Sequence, residues 1–377
     1  IKKKADQKQK NADQMLIGIK PNLVSPTEAS YGATTHPEIV AGIIEYLQER
    51  SCQHIVMLES SWVGDKTSES MEVCGYDRLV EKYNVPFWDM QLDESSEVDC
   101  AGMRLQICSS VKKLDFLINV PVLKGHCQTK ITCALKNMKG LIPNKEKRHF
   151  HKLGLHKPIA HLNVGIHQDF IVVDNICGDL DFEDGGNPVV MNRILTAKDP
   201  VLCDTFVCQM LYYRREDVPY LVMAEELGVG SADLEHANLI QIRFEKGTKE
   251  EEQESEETAS GKDINRKAKE VKDIHKTVWK GWEDVDIPRE RKIVELQDAV
   301  EEVESCSACY GYLIPALDML KQEGLFEKLD CKIAVGQGYR GKLGVGNCTC
   351  RFEHFVKGCP PTEIEIYEYL KKYLIQY

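Results

Sequence analysis

Apolar residues fall along this chain in two rhythms. Short unbroken runs read as buried strands: MLIGIKPNLV (15–24), HIVMLES (54–60), VPFWDM (85–90) and LDFLINVPVL (114–123). Between them, IVAGIIEYLQE (39–49) repeats its apolar positions at helical spacing. Thr35-His36-Pro37-Glu38 opens that helix, with Thr35 placed to cap it, Pro37 in the first turn and Glu38 completing a capping box. Strands and helices alternate at βαβ spacing, which predicts an α/β fold: a mainly parallel sheet with helices on both faces.

The pattern continues with TKITCALKNMKGLI (129–142) and KPIAHLNVGIHQ (157–168) as helices, FIVVDNI (170–176) as a strand, and DPVLCDTFVCQMLYY (199–213) as an apolar helix. VPYLVMAEELG (218–228) is a helix stopped by Gly228, and LIQIRF (239–244) a strand. The rhythm then stops. Residues 246–277 are almost devoid of large apolar side chains and read as a charged linker or insertion. Order resumes in a smaller C-terminal α/β region, with a helix over 308–324, a strand at CKIAVGQGY (331–339) and an amphipathic helix capped by Thr362 with Glu365. The expected organisation is a disordered lead (1–14), an α/β domain (15–245), the linker (246–277) and a cysteine-rich region (278–377).

Composition narrows the function classes. A net charge of -12 and a pI near 5.5 argue against a general nucleic-acid binder. No apolar run approaches the roughly 18 residues of a membrane span. Fifteen cysteines, an odd number at irregular spacing, make a poor disulfide framework and fit a reducing, cytoplasmic setting. Most of them, such as Cys133, Cys203 and Cys208, sit among apolar neighbours as buried thiols.

The C-terminal cysteines are different. Cys306 and Cys309 are two residues apart at a helix start, so one turn aims both thiols at one metal. Cys348 and Cys350 lie in a loop with Gly344 and Gly346, and Cys359 precedes two prolines. Four thiolates from Cys306, Cys309, Cys348 and Cys359 suit an iron–sulfur cluster, [4Fe-4S] in the first instance, or a zinc ion, with Cys350 as a substitute ligand. The wide gap between the two pairs and the absence of a second CxxC favour the cluster over a zinc ribbon. Cys331, at the start of a strand, reads as core.

A basic patch stands out in the acidic chain. Lys20 and Asn22 follow the first strand; Lys124, His126, Thr129, Lys136 and Asn137 follow the fourth. Ligands of parallel sheets bind at strand C-terminal ends, so these residues form a candidate site for a carboxylate or phosphate. Lys124 and His126 are read as a strand-to-helix junction, and as the candidate catalytic pair, His126 titrating near neutrality.

KPNLV, TTHPEIV, LINVPVLKGH, ALKNMKGLIP, GLHKPIAHLN, KDPVLCD and AEELGVG together resemble the family of domain of unknown function 362. The CSAC…GQG…GNC…GCPPT tail resembles the cysteine-rich end of one of its branches. The resemblance implies an iron–sulfur protein, although the ferredoxin-type CxxCxxCxxxCP run of many members is missing and GDLDFEDGG replaces their Gly-Asp-Gly-like turn. VLKGH is also similar, distantly, to the lysine and histidine placement of nickel-pincer lactate racemases. The expected function is a cluster-dependent oxidoreductase or electron-transfer protein with a small anionic ligand and a redox partner. A non-redox racemase-like enzyme or hydro-lyase, and an assembly protein with a structural cluster, are the rival expectations.

Overall fold

The computed structural model describes residues 1–244, 274–278, 287, 291–302, 307–336 and 342–376. They fall into two units, Ile1–Ala232 with Ile287–Tyr377, and Asp233–Asp286. In the second unit, β11 (Ile240–Phe244) pairs antiparallel with β12 (Ile274–Val278). Most of the charged segment 246–277, and with it the expectation of a linker, lies outside the described residues.

The first unit is built on a six-stranded sheet in the order β10-β9-β6-β1-β2-β3. Its strands are β1 (Ile17–Lys20), β2 (Ile55–Glu59), β3 (Phe87–Asp89), β6 (Phe116–Asn119), β9 (Phe170–Asp179) and β10 (Pro188–Ala197). All neighbours are parallel except the β9–β10 pair. β1, β2 and β6 are buried along their whole length, because helices cover both faces; hence their unbroken apolar runs. Edge strand β10 alternates instead and leaves Val190 and Ile194 exposed. Helix α2 (Pro37–Gln48) buries Ile39, Val40, Ile44 and Leu47. Two further helices, α3 (Thr67–Val73) and α4 (Tyr76–Tyr83), follow β2.

Several sequence expectations are corrected here. Thr35 does not cap α2: its hydroxyl donates to Val120 O, and the first free N–H, that of His36, is taken by the buried Asp174 carboxylate at 2.7 Å. The lead is not featureless. It contains α1 (Lys2–Gln7) and is tied down where Lys4 pairs with Asp169, and Lys8 and Lys10 with Asp115. A hairpin of β4 (Ser95–Cys100) and β5 (Met103–Cys108) went unread, although Ala101-Gly102 supplies its positive-φ turn. Segment 129–142 is not one helix. It comprises strand β8 (Lys130–Thr132), the single turn α5 (Ala134–Asn137) and a 3-10 stretch from Met138 to Leu141. Helices α6 (Asn144–Leu153), α7 (His156–Gly165), α8 (Pro200–Met210) and α9 (Pro219–Glu226) complete this part, with Asp199 capping α8 through Val201 N and Leu202 N.

The C-terminal region belongs to the same unit and adds a four-stranded, wholly parallel sheet. In order these strands are β13 (Val300–Glu302), β14 (Ile333–Val335), β15 (Leu343–Val345) and β16 (His354–Val356). Helix α10 (Lys292–Asp298) precedes the sheet; α11 (Ser307–Gln322) and α12 (Glu363–Gln376) pack with it. Leu313, Ile314, Leu317 and Leu320 of α11 share one core with Ile333, Val345, Val356, Ile366 and Leu370. The predicted box at α12 is present: Glu365 N donates to Thr362 Oγ1, and Thr362 N to Glu365 Oε2.

Candidate metal centre and adjoining basic pocket

Because β13–β16 all run the same way, the loops leaving their C-terminal ends meet at one edge. Cys306, between β13 and α11, lies outside the described residues. Cys309 is buried in the first turn of α11; Cys348 follows β15 and Cys359 follows β16. The two loops are locked together: Asn347 N donates to Gly358 O at 2.7 Å, and Gly358 N to Asn347 Oδ1 at 3.0 Å. Gly346 is the point of contact with α11. A Cβ there would stand 2.7 Å from Cys309 Sγ, and its φ of +91° is a further reason for glycine. Ten of the fourteen described cysteines are buried, and the three exposed ones, Cys348, Cys350 and Cys359, all lie at this edge. Cysteine is ordinarily an interior residue, so their exposure here marks a place where thiols serve another purpose. Cys331, half-buried, enters β14 at the opposite end of the sheet.

At the C-terminal edge of the larger sheet the predicted basic residues are brought together, but largely against one another. Lys20, fully buried, donates to Glu59 Oε2 at 2.6 Å, to Pro21 O at 2.9 Å and to Asn137 Oδ1 at 3.1 Å. Asn22 Nδ2 donates to the same Asn137 oxygen, and Asn137 Nδ2 to Asn119 Oδ1. Burial lowers the Lys20 pKa, and Glu59 opposes that shift. Gly140 closes the network from above: a Cβ there would collide with Glu59 Oε1. The crevice where parallel sheets usually bind ligands is therefore filled by the chain's own segment 134–147, which Lys147 also anchors to Ser60 and Ser61. Lys20, Asn22 and Asn137 are internally satisfied.

Lys124 and His126 are not a strand-to-helix junction. They form β7 (Lys124–His126), paired antiparallel with β8, and Thr129 in the hairpin turn donates its hydroxyl to Ile131 O. Glycine lets the hairpin lie flush on the end of β9, since a Cβ at Gly125 would stand 2.3 Å from Leu180 O. Lys124 donates to Ala33 O at 2.7 Å and Glu183 O at 2.6 Å, and burial and Lys136 lower its pKa. His126 Nδ1 accepts the N–H groups of Gln128 and Thr129, which leaves the proton on Nε2, 3.5 Å from Glu183 Oε1. Burial, Lys136 and Lys139 hold this imidazole neutral, well below its usual range, rather than titrating near neutrality.

Glu183 and Cys127 escaped the sequence reading. Cys127 N donates to Glu183 Oε2 at 2.9 Å and its thiol to Oε1 at 3.0 Å. Glu183 is presented by the GDLDFEDGG turn, which Asp179 organises by accepting from Asp181 N, Phe182 N and Asn187 N. Only the turn's density of acidic residues was visible in sequence. His126, Cys127 and Glu183 place donor atoms within 4.8 Å of one another, as do Cys133, Cys203 and Asp204. The second trio is buried and structural in character: Asp204 accepts from Ala134 N and Leu135 N, and burial pushes its carboxyl up to about 7.

The hairpin tip also touches the C-terminal region. Gln297 Nε2 donates to Cys127 O at 2.7 Å and to His126 O at 3.3 Å, while Gln128 Nε2 donates to Glu302 Oε1 at 3.1 Å. Cys127 belongs to the same apolar cluster as Cys309 and Tyr310. The β7–β8 hairpin tip is thus held by α10, α11 and β13, the elements that lead to the cysteine edge.

These features define an α/β protein with donor groups able to hold a metal. Residues 17–209, just over half of the chain, match the family described as "Domain of unknown function (DUF362)", and the chain belongs to that family. It is 23% identical to a thylakoid-associated protein of Synechocystis sp. over 229 residues, 58% of this chain and 70% of that protein. Among solved structures it is similar to the lactate racemase apoprotein from Thermoanaerobacterium thermosaccharolyticum, with a TM-score of 0.36 and 13% identity. That match covers 52% of this chain and 48% of the racemase, so the chain spans about half the racemase's length. Among the described residues no helix is long and apolar enough to cross a membrane.

Proposed function

We propose that this chain is an iron–sulfur protein, an oxidoreductase or electron-transfer protein that handles a small anionic ligand beside its cluster. The observation that carries the reading is the cysteine edge. Three thiols are exposed at the C-terminal ends of parallel strands, and Cys309 is seated against a glycine that leaves no room for a side chain. The donor set fits the group: Cys306, Cys309, Cys348 and Cys359 would hold it, with Cys350 as the alternative fourth thiolate. Such a cluster, when bound, supplies one-electron transfer. The chain's own contribution is to shield Cys309, to fix the two loops through Asn347 and Gly358, and to hold His126 neutral with a proton on Nε2 next door. His126 and Lys124 are the proposed proton-handling pair, although Lys124 also ties the hairpin to Ala33 O. The buried free thiols of Cys52, Cys74 and Cys108 support a reducing, cytoplasmic setting. Metal analysis of anaerobically purified protein tests the reading: iron with sulfide supports it, and stoichiometric zinc refutes it.

A further inference from the structure

The metal reading leaves two sequence motifs unused, TTHPEIV and FIVVDNI, and the fold brings them together. His36 stands at the N-cap of α2 with its side chain 18% exposed. Its Nδ1 lies 2.8 Å from Oδ2 of Asp174 on β9, a fully buried carboxylate. The same oxygen accepts the His36 N–H at 2.7 Å and Oδ1 accepts Ile176 N at 3.1 Å, so Asp174 is held in place. A carboxylate against Nδ1 keeps the ring proton there and leaves the Nε2 lone pair free. Nε2 faces the thiol of Cys177, further along β9, with Sγ 3.8 Å away. The Asp174 hydrogen bond raises the His36 pKa, which makes the ring a stronger base. Asp174 and Cys177 are three residues apart and would face opposite sides of a regular strand. The bulge in β10, between the Val190–Cys177 and Arg193–Asn175 pairs, adds twist at this point, and both side chains reach one ring. Carboxylate, imidazole and thiol thus stand in the order of orienting group, base and nucleophile.

We propose that Cys177 is a site of oxidation by hydrogen peroxide, with His36 as the base that takes its proton and Asp174 holding His36 in the competent tautomer. The surroundings of the sulfur select this chemistry. Its nearest polar neighbours are carbonyls, Ala29 O at 3.4 Å and Ser30 O at 3.9 Å. Carbonyl oxygens repel the oxyanion of an acyl-transfer intermediate, which calls for N–H donors instead. The thiol is also only 6% exposed, which favours the smallest electrophile over a bulky substrate. Burial and Asp174 push the thiol pKa up, so it needs a base at the moment of attack. As the sulfur attacks one peroxide oxygen, His36 Nε2 takes the thiol proton and the O–O bond breaks. The second oxygen leaves with the electron pair, takes the proton from His36 and departs as water, and Cys177 becomes a sulfenic acid. The sulfur loses two electrons and the peroxide gains them. The site shares no residue with the cysteine edge, so the inference stands apart from the cluster.

The test treats the full chain, purified anaerobically, with substoichiometric hydrogen peroxide in the presence of dimedone, which traps sulfenic acids. Peptide mass spectrometry then reads the adduct at each cysteine. Cys52 and Cys74 are the internal comparison. They are 3% and 4% exposed and also face carbonyls, of Ala12 and Thr27, but no imidazole stands within hydrogen-bonding reach of either among the described residues. Cys177 should be trapped at least about ten-fold faster than either, which is within what a positioned base contributes. His36→Asn keeps an N-cap residue and an amide donor toward Asp174 but removes the base. It should slow trapping at Cys177 by about ten-fold and leave Cys52 and Cys74 as they were. A thermal melt establishes that the variant folds, and if it does not, the wild-type ratio of Cys177 to Cys52 and Cys74 decides alone. Equal trapping at the three cysteines, or trapping at Cys177 that is unchanged or faster in folded His36→Asn, overturns the proposal.

Discussion

Gly346 allows the geometry of the cysteine edge to be tested by one methyl group. At φ +91° an L-residue is strained by about 1–2 kcal/mol. The added Cβ would also meet Cys309 Sγ at 2.7 Å, against an ordinary contact beyond 3.4 Å, so the buried thiol must move. Gly346→Ala should therefore destabilise the protein by about 1–3 kcal/mol in chemical denaturation, the backbone strain plus a modest overpacking cost. Displacing one ligand should also lower iron per chain. Gly311→Ala is the matched comparison: it lies exposed within α11, where a Cβ meets nothing within 4 Å. That change should stabilise by about 0.5–1 kcal/mol, as alanine replaces glycine in a helix, and leave iron unaltered. If Gly346→Ala keeps wild-type stability and iron, Cys309 is not held against the β15 loop and the assembled edge is wrong.

Two other predictions concern the polar interior. Glu59→Gln leaves the fully buried Lys20 without its counter-charge and should cost about 3–5 kcal/mol, read from denaturant midpoints; a loss under 1 kcal/mol would show that Lys20 reaches solvent or another anion. His126 is held well below its usual pKa, and burial with neighbouring lysines lowers His151 to about 3 and burial with Lys130 lowers His156 to about 4. The unfolded chain therefore binds more protons as pH falls through about 6.5, and stability should drop toward pH 4 by up to about 3 kcal/mol per pH unit, the three rings being partly offset by Asp204, which is pushed up to about 7 and takes up its proton in the folded chain. Flat stability between pH 7 and 5 would mean that these rings are solvated.

The parallel sheet was legible because strands buried on both faces have no choice but unbroken apolar sequence, as in Ile17–Lys20 and Ile55–Glu59. The exposure of Cys348, Cys350 and Cys359 after parallel strands follows a local pattern, glycine-flanked thiols behind apolar runs, while Cys306 of the CxxC lies outside the described residues. The basic site was not legible, because its meaning depends on distant partners. Nothing near Lys20 in sequence announces that Glu59 neutralises it, and KGH looks like the start of a loop until Lys130, with φ +65°, turns the chain back into a hairpin. Lys139 was hidden inside an expected helix, and Glu183 inside an acidic turn whose fold depends on Asp179.

Whether the cysteine edge holds iron is read directly from metal content. Iron, zinc and acid-labile sulfide should be measured per chain in anaerobically purified protein, beside Cys309→Ser and Cys331→Ser. A brown protein with about four irons and four sulfides is expected if the cluster is a cubane. Iron should be lost in Cys309→Ser and kept in Cys331→Ser, whose thiol lies at the far end of β14. Stoichiometric zinc without iron in the wild type, or full iron in Cys309→Ser, would refute an iron site at this edge.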